Sequence, residues 1–145
     1  MENIRPIEAA DQPEWKVLWS QYLAFYGASV SEAVYTTTFA RLLSTDPTEF
    51  KGMAAVEDGQ LVGLAHYLFH RHGWRIENVV YLQDLYVLPA HRGSGLGRKL
   101  IEAVYAEADL ARCPSVYWLT QDFNTEARQL YDRLASVTPF IKYQR

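Results

Sequence analysis

The sequence is 145 residues long, 49% hydrophobic and 21% charged, with a formal net charge of −3. A chain of that length and apolar content is expected to fold as one domain, residues 1–145, around one core; its negative balance argues against a general nucleic-acid surface and suits a cationic partner. One cysteine, Cys113, excludes an intrachain disulfide, and no run approaches the roughly eighteen apolar residues of a membrane span, so a cytoplasmic protein with no membrane partner is expected.

Residues 2–7 make a short first strand with Ile4 and Ile7 as its apolar residues, a pattern unlike the apolar core of a signal peptide. Asp11-Gln-Pro-Glu14 then supplies a helix start with proline in the first turn. Trp15, Leu18, Trp19, Tyr22, Leu23 and Tyr26 fall on one broad face of that helix, and Gly27 ends it. Ser29-Val-Ser-Glu32 reads as a capping box for a second helix containing Val34, Thr38, Leu42 and Leu43. A strand at 53–56, a turn at Glu57-Asp-Gly-Gln60 and a hairpin partner over 61–69 follow. His70-Arg-His72 lacks a third ligand for a metal, so a solvated loop and no metal are expected there.

The run from Val79 to Leu88 is apolar and β-branched or aromatic apart from Gln83 and Asp84, which suits a strand inside a sheet, and Pro89 stops it. Leu96, Leu100, Ile101, Val104 and Ala108 recur at helical spacing, with Gly93, Gly95 and Gly97 crowded at the start of that helix. Unpaired N–H groups and the dipole make a helix start an anion site, and glycine lets the backbone approach a phosphate closely. A dinucleotide fold needs G-x-G-x-x-G with an acidic residue about twenty positions on, where Tyr117 stands instead; a P-loop needs Lys followed by Ser or Thr, and Leu100 follows Lys99. After this unit come a buried strand over 115–120, a helix capped by Asn124 with Ala127, Leu130, Tyr131 and Leu134 inward, and a closing strand over 140–143. No internal repeat or low-complexity tract interrupts the chain.

Arg92-Gly93-Ser94-Gly95-Leu96-Gly97 has the form R-x-x-G-x-G and resembles the acyl-coenzyme A pyrophosphate loop of the GNAT acetyltransferases. The preceding Tyr-Leu-Gln-Asp-Leu-Tyr-Val and the later Asn124-Thr-Glu-Ala-Arg-Gln-Leu-Tyr131 fall where that family carries its fourth strand and its Asn…Tyr helix, so the resemblance covers nearly the whole chain. The polyamine and diamine acetyltransferases, with their small fungal histone and polyamine relatives, are the most similar branch. The resemblance implies an α/β fold in which a central mixed sheet is flanked by helices and the fourth and fifth strands splay into a cofactor cleft. It implies acetyl-coenzyme A as co-substrate, held by Leu85, Tyr86 and Val87 on the strand, by Arg92, Gly93, Ser94, Gly95, Leu96, Gly97 and Arg98 on the loop, and by Asn124.

By the same resemblance, a backbone N–H near Leu85 faces the developing oxyanion and Tyr131 protonates the departing thiolate. A phenol of pKa about 10 stays protonated at neutral pH and can serve in that way. Where polyamine acetyltransferases carry a glutamate this chain has Gln83, which cannot accept a proton usefully. Asp84 is the alternative base or cation anchor, although strand alternation sends it to the other face unless a bulge intervenes. Gln83, Trp19, Tyr26 and His66 are candidates for the acceptor site: aromatic faces attract ammonium groups, and a histidine has a useful pKa, although a lone strand histidine is more often structural. The expected activity is acetyl transfer from acetyl-coenzyme A to the primary amine of a polyamine-like or amino-acid-like small molecule. A basic protein tail as acceptor and a non-catalytic acyl-coenzyme A-binding role are the alternatives, and a homodimer is expected by analogy.

Overall fold

The computed structural model describes residues 2–145. Strands β1 (Glu2–Pro6), β2 (Lys51–Glu57), β3 (Gln60–His70), β4 (Val79–Val87) and β5 (Val116–Tyr117) form one sheet in that order. The first four pair antiparallel, and β5 adds to β4 in parallel. Helices α1 (Gln12–Phe25) and α2 (Glu32–Leu42) pack on one face, and α3 (Leu96–Leu110) and α4 (Thr125–Leu134) on the other, which is the mixed α/β architecture expected. The β2–β3 hairpin closes through Asp58 and Gly59, both at positive φ (51° and 79°), the pair of conformations that a two-residue turn needs to match strand twist.

The sheet separates two apolar clusters. On the α3 side Val62, Ala65, Tyr67, Val80, Leu82 and Val87 meet Leu96, Leu100, Ile101 and Val104. On the α1 side Leu61, Leu64 and Tyr86 meet Trp15, Leu18, Trp19, Phe39 and Leu42. Strand alternation alone cannot place both Leu82 and Leu85 toward α3, since they are an odd number of positions apart. A bulge resolves this: His66 pairs with Asp84 and Tyr67 with Leu82, leaving Gln83 as the extra residue. The side chains beyond it change face, and Asp84 joins Tyr86 on the α1 side.

Four expectations change. Residues 140–143 are not a strand; Phe140, Ile141 and Tyr143 are 76–90% exposed. A strand needs a partner edge, and β5 is ordered as a ladder only at Val116 and Tyr117, shorter and less buried than the 115–120 strand expected, so the last segment lies beside it without joining. The cap of α2 is Ser31 rather than Ser29, its hydroxyl accepting from the Val34 N–H at 3.4 Å. Asn124 precedes α4 but its side chain makes no cap bond; Nδ2 donates to Thr120 Oγ1 at 3.4 Å, tying the helix start to the end of the β5 segment.

Asp11 is buried where β1 hands over to α1. Arg5 donates to it through Nη1 (2.8 Å) and Nη2 (2.9 Å), and the Glu8 N–H donates to Oδ2 at 2.7 Å. The Arg5 hydrogen bonds, helped by the Glu8 N–H and the guanidinium charge, hold the carboxyl below its ordinary range against the opposing effect of burial. A depressed folded pKa contributes stability that is present above the unfolded value of about 3.9 and is lost as pH falls through the folded value. Asp11→Asn is therefore expected to lower Tm at pH 7, with the gap to wild type closing below about pH 4; a pH-independent gap in thermal melts would assign the effect to hydrogen-bond geometry instead of charge.

Candidate active site

A cavity of about 550 Å³ opens where β4 and β5 part. The two strands pair only at Val80 with Val116 and at Tyr81 with Tyr117, so the far half of β4 has a free edge. The Leu88 N–H donates to Val62 O on β3, and alternation then turns the N–H groups of Val87 and Leu85 to the open side. Leu85, Tyr86 and Val87 all line the cavity. Arg92 Nε donates to Val87 O at 2.9 Å, and the guanidinium lies 5.5 Å from the centre of the Tyr86 ring, so a cation is fixed at the mouth of the splay.

The glycine loop forms the next wall. Gly93 and Gly95 have φ of +83° and +86°, conformations that side chains rarely adopt, and a Cβ at either would meet nothing within 4 Å. Gly95 caps α3, and the Lys99 N–H is bonded to Gly95 O, so the N–H groups of Leu96, Gly97 and Arg98 precede the first helical bond and face out. Open space above bare backbone donors, with Arg92 and Arg98 beside it, fits a pyrophosphate. Gly93, Gly95, Leu96, Gly97, Arg98 and Asn124 line the cavity; Ser94 does not, its hydroxyl donating to His91 O at 2.9 Å.

The third wall is aromatic. Tyr22 and Phe25 of α1, with Tyr26 just after it, line the cavity together with Tyr131 of α4. Tyr131 stands edge-on to Trp118 at 5.4 Å between ring centres. Burial, with a smaller effect of Tyr26, pushes the pKa of its hydroxyl up to about 12.

Behind this wall is a buried polar network that joins several candidate residues. His66 is 2% exposed and Asp84 7%. Trp15 Nε1 donates to His66 Nε2 at 2.9 Å. An indole nitrogen only donates, so Nε2 carries the lone pair, the proton is on Nδ1, and the neutral imidazole donates to Asp84 Oδ2 at 2.8 Å. Trp19 Nε1 donates to the same oxygen at 3.3 Å. His66 and Trp19 thus stand behind Asp84, both occupied, and neither lines the cavity; Tyr26 does, and Gln83 is exposed in the bulge. Tyr22 and Phe25, part of the aromatic surplus of the first helix, line the cavity together with Tyr26. The spacing of Trp15 and Trp19 on one helix face aims their two indole N–H groups at His66 of β3 and Asp84 of β4.

Residues 12–135 match the model of the acetyltransferase (GNAT) family. This chain belongs to that family. It is 43% identical, over 98% of its length and 89% of the relative's, to the D-amino-acid N-acetyltransferase HPA3 of Saccharomyces cerevisiae. A shorter match, 36% identical over 52% of this chain and 44% of the relative, is to the thialysine N-epsilon-acetyltransferase of Bos taurus. Among solved structures, the aminoglycoside acetyltransferase AAC(6')-Iy in complex with a bisubstrate analogue superposes with a TM-score of 0.87 over 100% of this chain and 97% of that one, at 21% identity, a likeness of fold. The chain is an acetyltransferase of the GNAT type, from a family that uses acetyl-coenzyme A.

Proposed function

We propose that the protein transfers an acetyl group from acetyl-coenzyme A to the primary amine of a small molecule, amino-acid-like or polyamine-like. The observation that carries the acceptor class is the buried Asp84 carboxylate behind the Tyr22 and Tyr26 wall: a fixed negative charge beside aromatic faces favours an ammonium-bearing molecule. The acceptor end is walled by the aromatic Tyr22, Phe25, Tyr26 and Tyr131, which suits a small amine, and a relative named as acting on D-amino acids supports the amino-acid-like form.

In this reading acetyl-coenzyme A supplies the activated thioester. The chain's part is to hold the pyrophosphate on the α3 N–H groups with Arg92 and Arg98, to orient the pantetheine along Leu85, Tyr86 and Val87, to offer the Leu85 N–H to the developing oxyanion, and to offer the Tyr131 hydroxyl to the departing sulfur. Asp84 supplies negative charge at the acceptor end, with Gln83 outside the proton chemistry. A cytoplasmic homodimer belongs to the same reading. The exposed Val137, Phe140 and Ile141 beside β5 support pairing, as an apolar patch left in contact with water.

The test is thiol release from acetyl-coenzyme A with D- and L-amino acids, thialysine, diamines, polyamines and a lysine-bearing peptide. Turnover with free amines and none with the peptide is expected; peptide acetylation in preference to every free amine would overturn the small-molecule reading.

A further inference from the structure

Four basic side chains line the cavity, and three of them are already tied to groups of the protein. His91 Nδ1 lies 3.0 Å from Glu57 Oε2, Arg92 Nε donates to Val87 O at 2.9 Å, and Arg98 Nε donates to Glu102 Oε1 at 3.0 Å. Arg133 is the fourth. Among the described residues its guanidinium is in no hydrogen bond or ion pair, so its donors are left for solvent or a ligand.

The packing of α4 fixes where that cation stands. Leu130 lies on the start of α3, where a Cβ on Gly97 would meet Leu130 Cδ2 at 3.4 Å, and the Tyr105 hydroxyl of α3 donates to Leu134 O at 3.0 Å. The helix is thus pinned to α3 at two points. Glu126, Gln129 and Arg133 follow at helical spacing along one stripe of α4, and all three line the cavity. At about 1.5 Å of rise per residue, the two charged ends of the stripe stand about 10 Å apart along the axis. An anion is therefore repelled at the Glu126 end and attracted at the Arg133 end.

Acetyl-coenzyme A carries two separate anionic groups, the pyrophosphate and a phosphomonoester on its ribose. The α3 N–H groups, with Arg92 and Arg98, account for the first. A phosphomonoester carries about 1.5 to 2 negative charges at pH 7, and its oxygens match the fork of a guanidinium. We infer that Arg133 binds the ribose phosphomonoester, so that α4 sets the preference for the phosphorylated cofactor over its 3′-dephospho form. The inference rests on the acetyl-coenzyme A reading above. A cation in the last turn of α4 also complements the helix dipole, a role that moves stability and not cofactor preference.

The experiment is calorimetric titration of coenzyme A and of 3′-dephospho-coenzyme A into the wild-type protein and into Arg133→Gln, with thermal melts of both proteins. Glutamine keeps the helix propensity and removes the charge. Wild type is expected to bind coenzyme A about tenfold more tightly than the dephospho form, the low end for a charge-assisted hydrogen bond, because Arg133 is exposed and screened by water and salt. Arg133→Gln should weaken coenzyme A about tenfold and leave the dephospho form unchanged, which brings the two affinities within about twofold. A variant that weakens both ligands equally overturns the inference, as does a lowered Tm with the preference intact. Wild type that binds neither ligand would refute the acetyl-coenzyme A reading itself, whereas wild type that binds both alike refutes only the role of Arg133.

Discussion

Gly95→Asp is expected to abolish measurable acetyl-coenzyme A binding while leaving a folded protein. The two halves of that statement have separate causes. Gly95 sits at φ +86° with nothing within 4 Å of where a Cβ would be, so the substitution introduces backbone strain without a clash. Left-handed backbone costs an ordinary residue about 1–2 kcal/mol, and aspartate is among the residues that tolerate it best. A carboxylate at the start of α3 also meets the positive end of the helix dipole, which offsets part of that strain. The same favourable site is the one the pyrophosphate needs. A unit charge about 4 Å from a phosphate oxygen at an effective dielectric of about 20 opposes binding by about 4 kcal/mol, on the order of 10³ in Kd. Calorimetric titration of the variant should therefore show no saturation at concentrations that saturate wild type, with Tm lowered by a few degrees at most. Gly95→Ala separates the effects: strain without charge, and affinity within about tenfold of wild type. An Asp variant that binds normally would remove the phosphate from this loop.

How much of this site was legible in the sequence follows from the range of the interactions involved. The glycine loop, the α3 face and the placement of Tyr131 depend on residues within a few turns of one another, and spacing reports such contacts directly. Asp84 shows where periodicity fails. A period of two sends it away from the acceptor side, and only the bulge at Gln83, a property of the pairing between β3 and β4, brings it back. The Trp15–His66–Asp84 network joins positions 51 and 18 residues apart, and no local pattern contains it. Trp15 and Trp19 look like surplus apolar bulk in a list of residues, yet their indole N–H groups satisfy a buried imidazole and a buried carboxylate, which would otherwise be costly to enclose. The closing strand failed for the opposite reason. Phe140, Ile141 and Tyr143 have strand-like composition, but composition cannot supply the free edge that a strand needs.

Tyr131→Phe is expected to lower kcat by on the order of 10²–10⁴-fold with little change in KM for acetyl-coenzyme A, the pattern of a lost general acid. The ring and its 5.4 Å edge-on contact with Trp118 remain, and only the hydroxyl is removed. A packing role alone thus predicts almost no loss of stability and near-normal kcat. The magnitude of the catalytic effect has a physical limit. With the phenol at about 12 and a free thiol at about 8.5, complete transfer to the sulfur runs uphill by about 3.5 pKa units, about 5 kcal/mol. The hydroxyl therefore acts first as a hydrogen-bond donor to the sulfur as its charge develops, and the proton moves late, when the thiolate shares the same desolvated cavity. The raised pKa also has a sign that can be checked. Burial disfavours the phenolate, so Tyr131 stays protonated well above pH 10, and kcat should show no alkaline fall from this group below about pH 11. Because the folded pKa exceeds the unfolded value of about 10, its contribution to stability is intact below pH 10 and is lost between about pH 10 and 12; Tyr131→Phe should flatten that part of the alkaline decline in Tm. A fall in kcat of less than about threefold, even with the flattened alkaline melt, would leave Tyr131 as a wall of the cavity and move the search for the acid to its neighbour Tyr26.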